Sequence, residues 1–168
     1  MQRLFWRIIA RSLKDWPNMI GPNFVNYIDI ELMKEMCHPL AVALFDTKDD
    51  PIAQFSEHEL SLLDSTLNNP KQTFGGRELY PALTEKAAIL YYGLIKNHPF
   101  KNGNKRIATA SLLMFLYIND FWLKGKKEDI ENYLVDMAIK TSNSKPQGKD
   151  LILSELENWL KSHIVKLA

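Results

Sequence analysis

Residues 96 to 106 read Lys-Asn-His-Pro-Phe-Lys-Asn-Gly-Asn-Lys-Arg: four cations and one histidine, with no acid among them. They lie between two strongly helical patterns, so they form a loop that runs into the start of the helix beginning near Lys105. Such a place attracts anions for elementary reasons. The first turn of a helix has free backbone N–H groups and the positive end of the dipole, Gly103 allows close approach, and Lys105 and Arg106 add charge. Phosphate is the natural guest. His98 falls at the mouth of this site, and imidazole is the side chain that exchanges a proton near neutral pH, as a general base must when a hydroxyl attacks a phosphoryl group. Phosphoryl transfer depends mainly on positioning and charge neutralisation, so one base and a phosphate cradle suffice beside a metal ion. The plainer reading has His98 closing the preceding helix and the lysines merely solvated.

Helical periodicity supplies the elements that would hold this loop. Ser56 and Glu59 have capping-box spacing, and Leu60, Leu63 and Leu67 then share a face up to Asn68-Asn69-Pro70. Within Glu85 to Lys96 the residues Ala87, Ala88, Tyr91, Leu94 and Ile95 form a second stripe, stopped by Asn97-His98-Pro99. Lys105 to Asn119 is apolar almost all round, the pattern of a central buried helix. Ile130, Tyr133, Leu134, Met137 and Ala138 recur at helical spacing behind the acidic Glu128 and Asp129. After a loop over Ser142 to Gly148, Leu151, Leu156, Trp159, Leu160 and Ile164 describe a last helix. One segment reads otherwise: Gly75-Gly76, between residues suited to short strands, predicts a β-hairpin. The expected fold class is all-α with this one small hairpin.

Composition sets the frame. The chain has 168 residues, 46% hydrophobic and 24% charged, which fits a single soluble globular domain and excludes a disordered or collagen-like chain. A single cysteine, Cys37, cannot form an internal disulfide, which fits a reducing, cytoplasmic setting. Arg3, Arg7, Arg11 and Lys14 interrupt the apolar run that a secretion signal needs, and Leu4, Phe5, Ile8, Ile9 and Leu13 predict an amphipathic helix that packs or binds a partner. The longest apolar stretch, Ile107 to Ile118, is short of the roughly 20 residues of a membrane span. The net charge is +1, but the loop alone carries +4, so the rest of the chain carries −3. That concentration points to a nucleoside triphosphate rather than to a nucleic acid or a membrane. Elsewhere, His58-Glu59 is no zinc signature because Leu62 replaces the second histidine. His38, His163 and the four tryptophans read as packing residues, Cys37 as inert, and Asp46, Asp49 and Asp50 as a solvated loop or a partner-facing surface.

The nine residues His98 to Arg106, HPFKNGNKR, resemble the signature of the Fic/Doc (Fido) family, H-x-F-x-(D/E)-(G/A)-N-(G/K)-R. Leu63 to Pro70, Gln72 to Gly76 and Tyr80-Pro81 resemble its death-on-curing, Doc-like branch. The resemblance is strong over about residues 55–123 and extends from about 28 to the C-terminus, which divides the chain into an N-terminal helical extension, 1–27, and a Fido domain, 28–168. It implies a Fido-type helical bundle with a β-hairpin flap, and transfer of part of ATP, with Mg²⁺, to a hydroxyl side chain of a target protein. Carried over by position, His98 is the base and Phe100 a buried plug, while Gly103, Asn104, Lys105 and Arg106 form the phosphate cradle. Thr73, Phe74, Gly75 and Gly76 form the flap, which would pair through its main chain with an extended segment of the target. A plain structural turn is the other reading of that hairpin.

One position departs from the family signature, and two others bear on which branch the chain resembles. Asn102 stands where the family usually has Asp or Glu for magnesium; an amide oxygen can ligate Mg²⁺ but brings no charge, so Asn102 is a metal candidate with lowered affinity. Lys105 stands where nucleotidyl-transferring members have glycine, and Thr109 where they have a second arginine. Lys105 resembles the Doc branch, which implies transfer of the γ-phosphate to a translation factor, with elongation factor Tu as the candidate target. AMP transfer on the same site is the alternative, and a catalytically weak binding or regulatory module the second alternative. The family's inhibitory motif, S/T-x-x-x-E-G/N, is not found; Ser154 to Asn158 falls one residue short. Restraint would then come from a separate antitoxin protein.

Overall fold

The most apolar stretch of the chain becomes its centre. In the computed structural model, which describes residues 24–167, Ile107, Ala108, Ala110 and Leu112 to Leu116 are all buried on one helix, Asn104–Ile118. The predicted N-terminal helix, with Trp6 and Trp16, lies outside the described residues. Six helices are present among those described. In chain order, α1 is assembled from Ile30–Leu32, a π-helical turn Met33–Cys37 and His38–Phe45; α2 is Leu60–Asn68, α3 Leu83–Lys96, α4 Asn104–Ile118, α5 Lys127–Asn143 and α6 Lys149–His163. α3 packs against α4 and touches α2, α5 and α6, while α1 covers another side of α4. The core is therefore one cluster drawn from all six helices.

The helices expected over α2 to α6 are present, though Leu60 and Leu151 are exposed and fall outside the buried stripes, and two boundaries need correction. Ser56 does not cap α2: Phe55–Glu57 is a 3₁₀ turn capped by Gln54 and Glu57, and α2 begins after Glu59 without a side-chain cap. The reason is tertiary, because His58 bridges to Phe100 and the Glu59 N–H donates to Pro99 O at 2.8 Å, keeping the chain extended until Leu60. Ile164 is not the end of α6 but opens a strand. That strand, Ile164–Lys166, pairs antiparallel with Phe121–Leu123, a contact between distant segments that no local pattern announces. α1 was not expected either. Pro39 interrupts its pattern, and the helix accommodates it with a wide turn in which the His38 N–H bonds Met33 O.

The predicted hairpin is present. β1, Thr73–Phe74, pairs with β2, Arg77–Glu78, across the two-residue Gly75-Gly76 turn, and the whole hairpin is solvent-exposed. The strands at Phe121–Leu123 and Ile164–Lys166 are β3 and β4. A buried lysine fastens the hairpin: Lys86 on α3, 1% exposed, pairs with Glu78 at 3.1 Å and faces Pro70 O at 3.4 Å and the Tyr27 ring.

The placement of the motif loop begins where α2 crosses α3. The buried Thr66 hydroxyl donates to Leu62 O at 2.7 Å and accepts from Asn97 Nδ2 at 2.8 Å, which ties the end of α3 to α2. The crossing is close because α3 has Gly93 there: a methyl group on it would lie 2.9 Å from Thr66 Cγ2. Gly93→Ala should therefore destabilise the protein by about 1–3 kcal/mol despite alanine's better helix propensity, because overpacking outweighs it. Urea unfolding of the variant against the parent measures this, and an unchanged midpoint contradicts it.

Candidate active site

Between α3 and α4 the chain reverses in seven residues, and two positions with positive φ make this possible. Asn97 closes α3, and His98 follows with φ 48°, the left-handed conformation that commonly ends a helix but usually belongs to glycine. Gly103 precedes α4 with φ 86°, and a Cβ there would meet Ile52 at 3.0 Å, so both the backbone and the space call for glycine. His98 thus stops α3, as the plainer reading has it, and stands exposed at the turn.

Behind the histidine the loop is anchored in the core. Phe100 is 2% exposed and sits among His38, Phe55 and His58 at ring distances of 5.8, 6.0 and 6.0 Å. His38 donates from Nε2 to Ala53 O at 2.7 Å, so it is a packing residue, but one that supports the site. Asn104 clamps the loop: its Oδ1 accepts from the Phe100 N–H at 3.0 Å, and its Nδ2 donates to Phe100 O at 2.7 Å. The same amide lies 3.4 Å from His98 Nδ1. Buried to 6% exposure, Asn104 turns its side chain to the loop, not outward toward a ligand.

The four cations of the loop are not equally available. Lys96 donates to Ser142 O and Ser144 O at 3.3 and 2.7 Å, neutralising the end of α5. Lys101 pairs with Glu57 at 2.8 Å. Arg106 is held by the segment after α1: Nη2 lies 3.0 Å from the Asp50 carboxylate, and Nη1 donates to Asp50 O and Phe45 O. Of the four, Lys105 is the one whose cationic head has neither a hydrogen bond nor an ion pair among the described residues. Lys105, Arg106 and Thr109 line one flank of α4, where a pocket of about 550 Å³ opens toward Phe45 and the Val135 to Ile139 face of α5. The Thr109 hydroxyl donates to Lys105 O at 3.0 Å.

Sequence reasoning missed the acid at this site. The sequence places Asp50 in a solvated loop or partner-facing surface, and it is exposed, yet its Oδ1 accepts from Asn102 Nδ2 at 2.8 Å while Oδ2 pairs with Arg106. Asn102 also donates to Pro51 O at 2.8 Å, and its Oδ1 accepts from the Gly103 N–H at 2.8 Å. The Asn102 hydrogen bond and the Arg106 charge hold the Asp50 carboxyl below the usual carboxylate range, and Lys101 does the same for Glu57. With lowered folded values, the stabilisation from both carboxylates is present above the ordinary range and is lost only as pH falls through those values. Cys37 is fully buried and its thiol is pushed up to about 12 by burial, which makes it inert. Among the described residues no hydrogen bond, ion pair or ring contact joins the hairpin tip to the loop, no cluster of three or more metal-ligating side chains forms, and no helix is long and apolar enough to cross a membrane.

An exposed histidine on a strained turn, a buried phenylalanine and an asparagine clamp at the start of the central helix make up the loop that carries the motif. The family model described as Fic/DOC family matches residues 25–116, and the chain belongs to that family. It is also 38% identical over 79 residues to the protein named Toxin Doc of Mycolicibacterium smegmatis, a match covering 44% of this chain and 61% of that relative's length. No solved structure matches the chain.

The magnesium ion that the family implies can be tested against the donors present. Mg²⁺ takes hard oxygen ligands, is held by one or two carboxylates together with phosphates, and keeps several waters. An exposed carboxylate, Asp50, lies at the start of α4 beside Asn102, so one hard oxygen donor of the fitting kind is present.

The strained turn generates a separable prediction. A left-handed non-glycine residue costs roughly 1–2 kcal/mol, so His98→Gly should raise stability by about 1 kcal/mol once glycine's larger unfolded-state entropy is deducted. Thermal unfolding of His98→Gly and His98→Ala side by side tests it, and a glycine variant no more stable than the alanine one contradicts it.

Proposed function

We propose that this protein is a Doc-like, toxin-type transferase that moves the γ-phosphoryl group of ATP to a hydroxyl side chain of a target protein. The observation that carries the reading is the exposed His98 imidazole, fixed by strained backbone beside the open N-terminus of α4, whose first turn bears Lys105 and Arg106. In the reaction His98 accepts the proton of the target hydroxyl while its oxygen bonds to the γ-phosphorus. The bond from that phosphorus to the β,γ-bridging oxygen breaks, and ADP leaves with the electron pair. The free N–H groups of the first turn of α4, with Lys105, face the charge that builds on the phosphate oxygens. Arg106 joins them once it leaves Asp50. Mg²⁺ would lie by position 102, where Asn102 meets the Asp50 carboxylate, and would supply charge neutralisation on the phosphates.

Lys105 favours γ- over α-transfer. A glycine there would leave room for the β- and γ-phosphates beyond the reacting phosphorus; the lysine fills that room with a cation that suits a terminal phosphate. The pocket on the Lys105 and Thr109 flank has the size of a nucleoside site. The exposed hairpin, Thr73 to Gly76, is the flap on which an extended target segment would add as a strand. The relative's name, Toxin Doc, supports the toxin-type reading; an antitoxin partner and a cytoplasmic setting go with that reading, and elongation factor Tu is the first target to assay.

The test uses a cell lysate and ATP labelled in turn at the γ- and α-phosphates, with His98→Ala as control. His98-dependent protein label from the γ position alone is the expected result. Label from the α position would replace this reading with AMP transfer, and no His98-dependent label from either would leave a binding or regulatory module.

A further inference from the structure

The family pattern places a metal-binding acid at position 102, and this chain has an amide there. The structure brings another carboxylate to the same spot from 52 residues away: Asp50 Oδ1 lies 2.8 Å from Asn102 Nδ2. We propose that Asp50 supplies the carboxylate ligand for the divalent cation of a metal–nucleotide complex, and that Asn102 is the residue that positions it. This rests on the reading of the site as a nucleotide-triphosphate site.

Four observations support the assignment. First, Asp50 stands on a built turn. Asp46 accepts from the Ile52 N–H at 2.6 Å, Thr47 Oγ1 from the Asp50 N–H at 3.2 Å, and Asn102 O from the Ala53 N–H at 3.4 Å, while Ile52 packs under Gly103. Second, the amide at 102 is oriented as a holder and not as a ligand, because its oxygen accepts from the Gly103 N–H and its NH₂ group donates to Asp50 and Pro51. Third, the other acids nearby are engaged, remote or, like the exposed Asp49, joined to the motif loop by no hydrogen bond or ion pair. Glu57 pairs with Lys101 and accepts from the Gln54 N–H, Asp46 holds Ile52, and Glu131 lies across the pocket on α5. Fourth, the sign of the charge requires an explanation. A carboxylate bonded to the phosphate-binding arginine repels a triphosphate when nothing lies between them, and becomes a link to it when a divalent cation does. On binding, Arg106 exchanges Asp50 for a phosphate, and Asp50 exchanges Arg106 for the cation, so neither charge is left unpaired.

The experiment measures binding of a non-hydrolysable ATP analogue to the full chain by calorimetry, in Mg²⁺ and in EDTA, with the electron paramagnetic resonance of bound Mn²⁺ as a direct readout of the metal. Asp50→Asn should weaken binding in Mg²⁺ by about tenfold or more, the scale on which losing a metal-holding group acts, and should lose the bound Mn²⁺ signal. Binding in EDTA should be unchanged or tighter. Adding Asn102→Asp to Asp50→Asn, which exchanges the amide and the acid, should restore the Mn²⁺ signal. If Asp50→Asn binds the analogue equally well or more tightly in Mg²⁺, Asp50 only competes for Arg106 and the assignment is overturned while the nucleotide site stands. If the parent chain binds no analogue in either buffer, the nucleotide site itself fails, and the assignment with it.

Discussion

Everything at this site depends on one buried amide. Asn104 closes a ring with both main-chain polar groups of Phe100, and it does so from the first residue of the helix that forms the core. The loop is too short for its own secondary structure, so without that amide the Phe100 N–H and C=O would be buried without partners, at about 1–3 kcal/mol each. The clamp is also geometric. Because α4 is fixed by burial, a hydrogen bond to its first residue fixes Phe100, and Phe100 fixes the two residues before it. His98 is therefore referenced to the buried central helix through a chain of only a few contacts, which is what precise placement of a side chain requires.

The charge of the loop follows a similar economy. Four cations in eleven residues look like one anion-binding patch in the sequence, yet Lys96 is tied to the end of α5, Lys101 to Glu57 and Arg106 to Asp50. These pairings hold the loop to three separate parts of the body: α5, the 3₁₀ turn before α2, and the segment after α1. Most of the concentrated charge thus positions the loop. What faces outward is Lys105 with the backbone of the first turn. The distinction matters chemically, since a ligand has to displace Arg106 from a carboxylate but finds Lys105 available.

What could be read from the sequence divides along a physical line. Interactions within about one helical turn leave a periodic signature, so the buried Leu63 and Leu67 of α2, the all-round apolar run of α4, the Gly75-Gly76 turn and the loop His98 to Gly103 between two helices are legible. Interactions set by the tertiary fold leave none. Nothing near Phe121 announces Ile164 to Lys166, and nothing near Asp50 announces Asn102. Ser56 and Glu59 have the right spacing for a cap, but a bridge from His58 to Phe100 overrides it. α1 was hidden for a different reason: Pro39 contradicts a helix locally, and only burial of Met33, Met36, Cys37 and Leu40 makes a helix with a π turn the better solution.

The reversal between α3 and α4 has an electrostatic consequence that neither helix has alone. The carbonyl end of α3 and the N–H end of α4 are brought within one loop of each other, so the negative pole of one dipole and the positive pole of the other flank the same small volume. His98 follows directly on the carbonyl end, where a cation is favoured, and Lys105 and Arg106 stand at the N–H end, where an anion is favoured. A reaction that moves a proton onto the histidine while negative charge builds on a phosphate separates charge in the direction this field already points. The two positive-φ residues, His98 and Gly103, are what bring the poles together, and a loop that relaxed at either one would part them. The strain is thus placed where it aligns two helix ends that the fold has already made rigid.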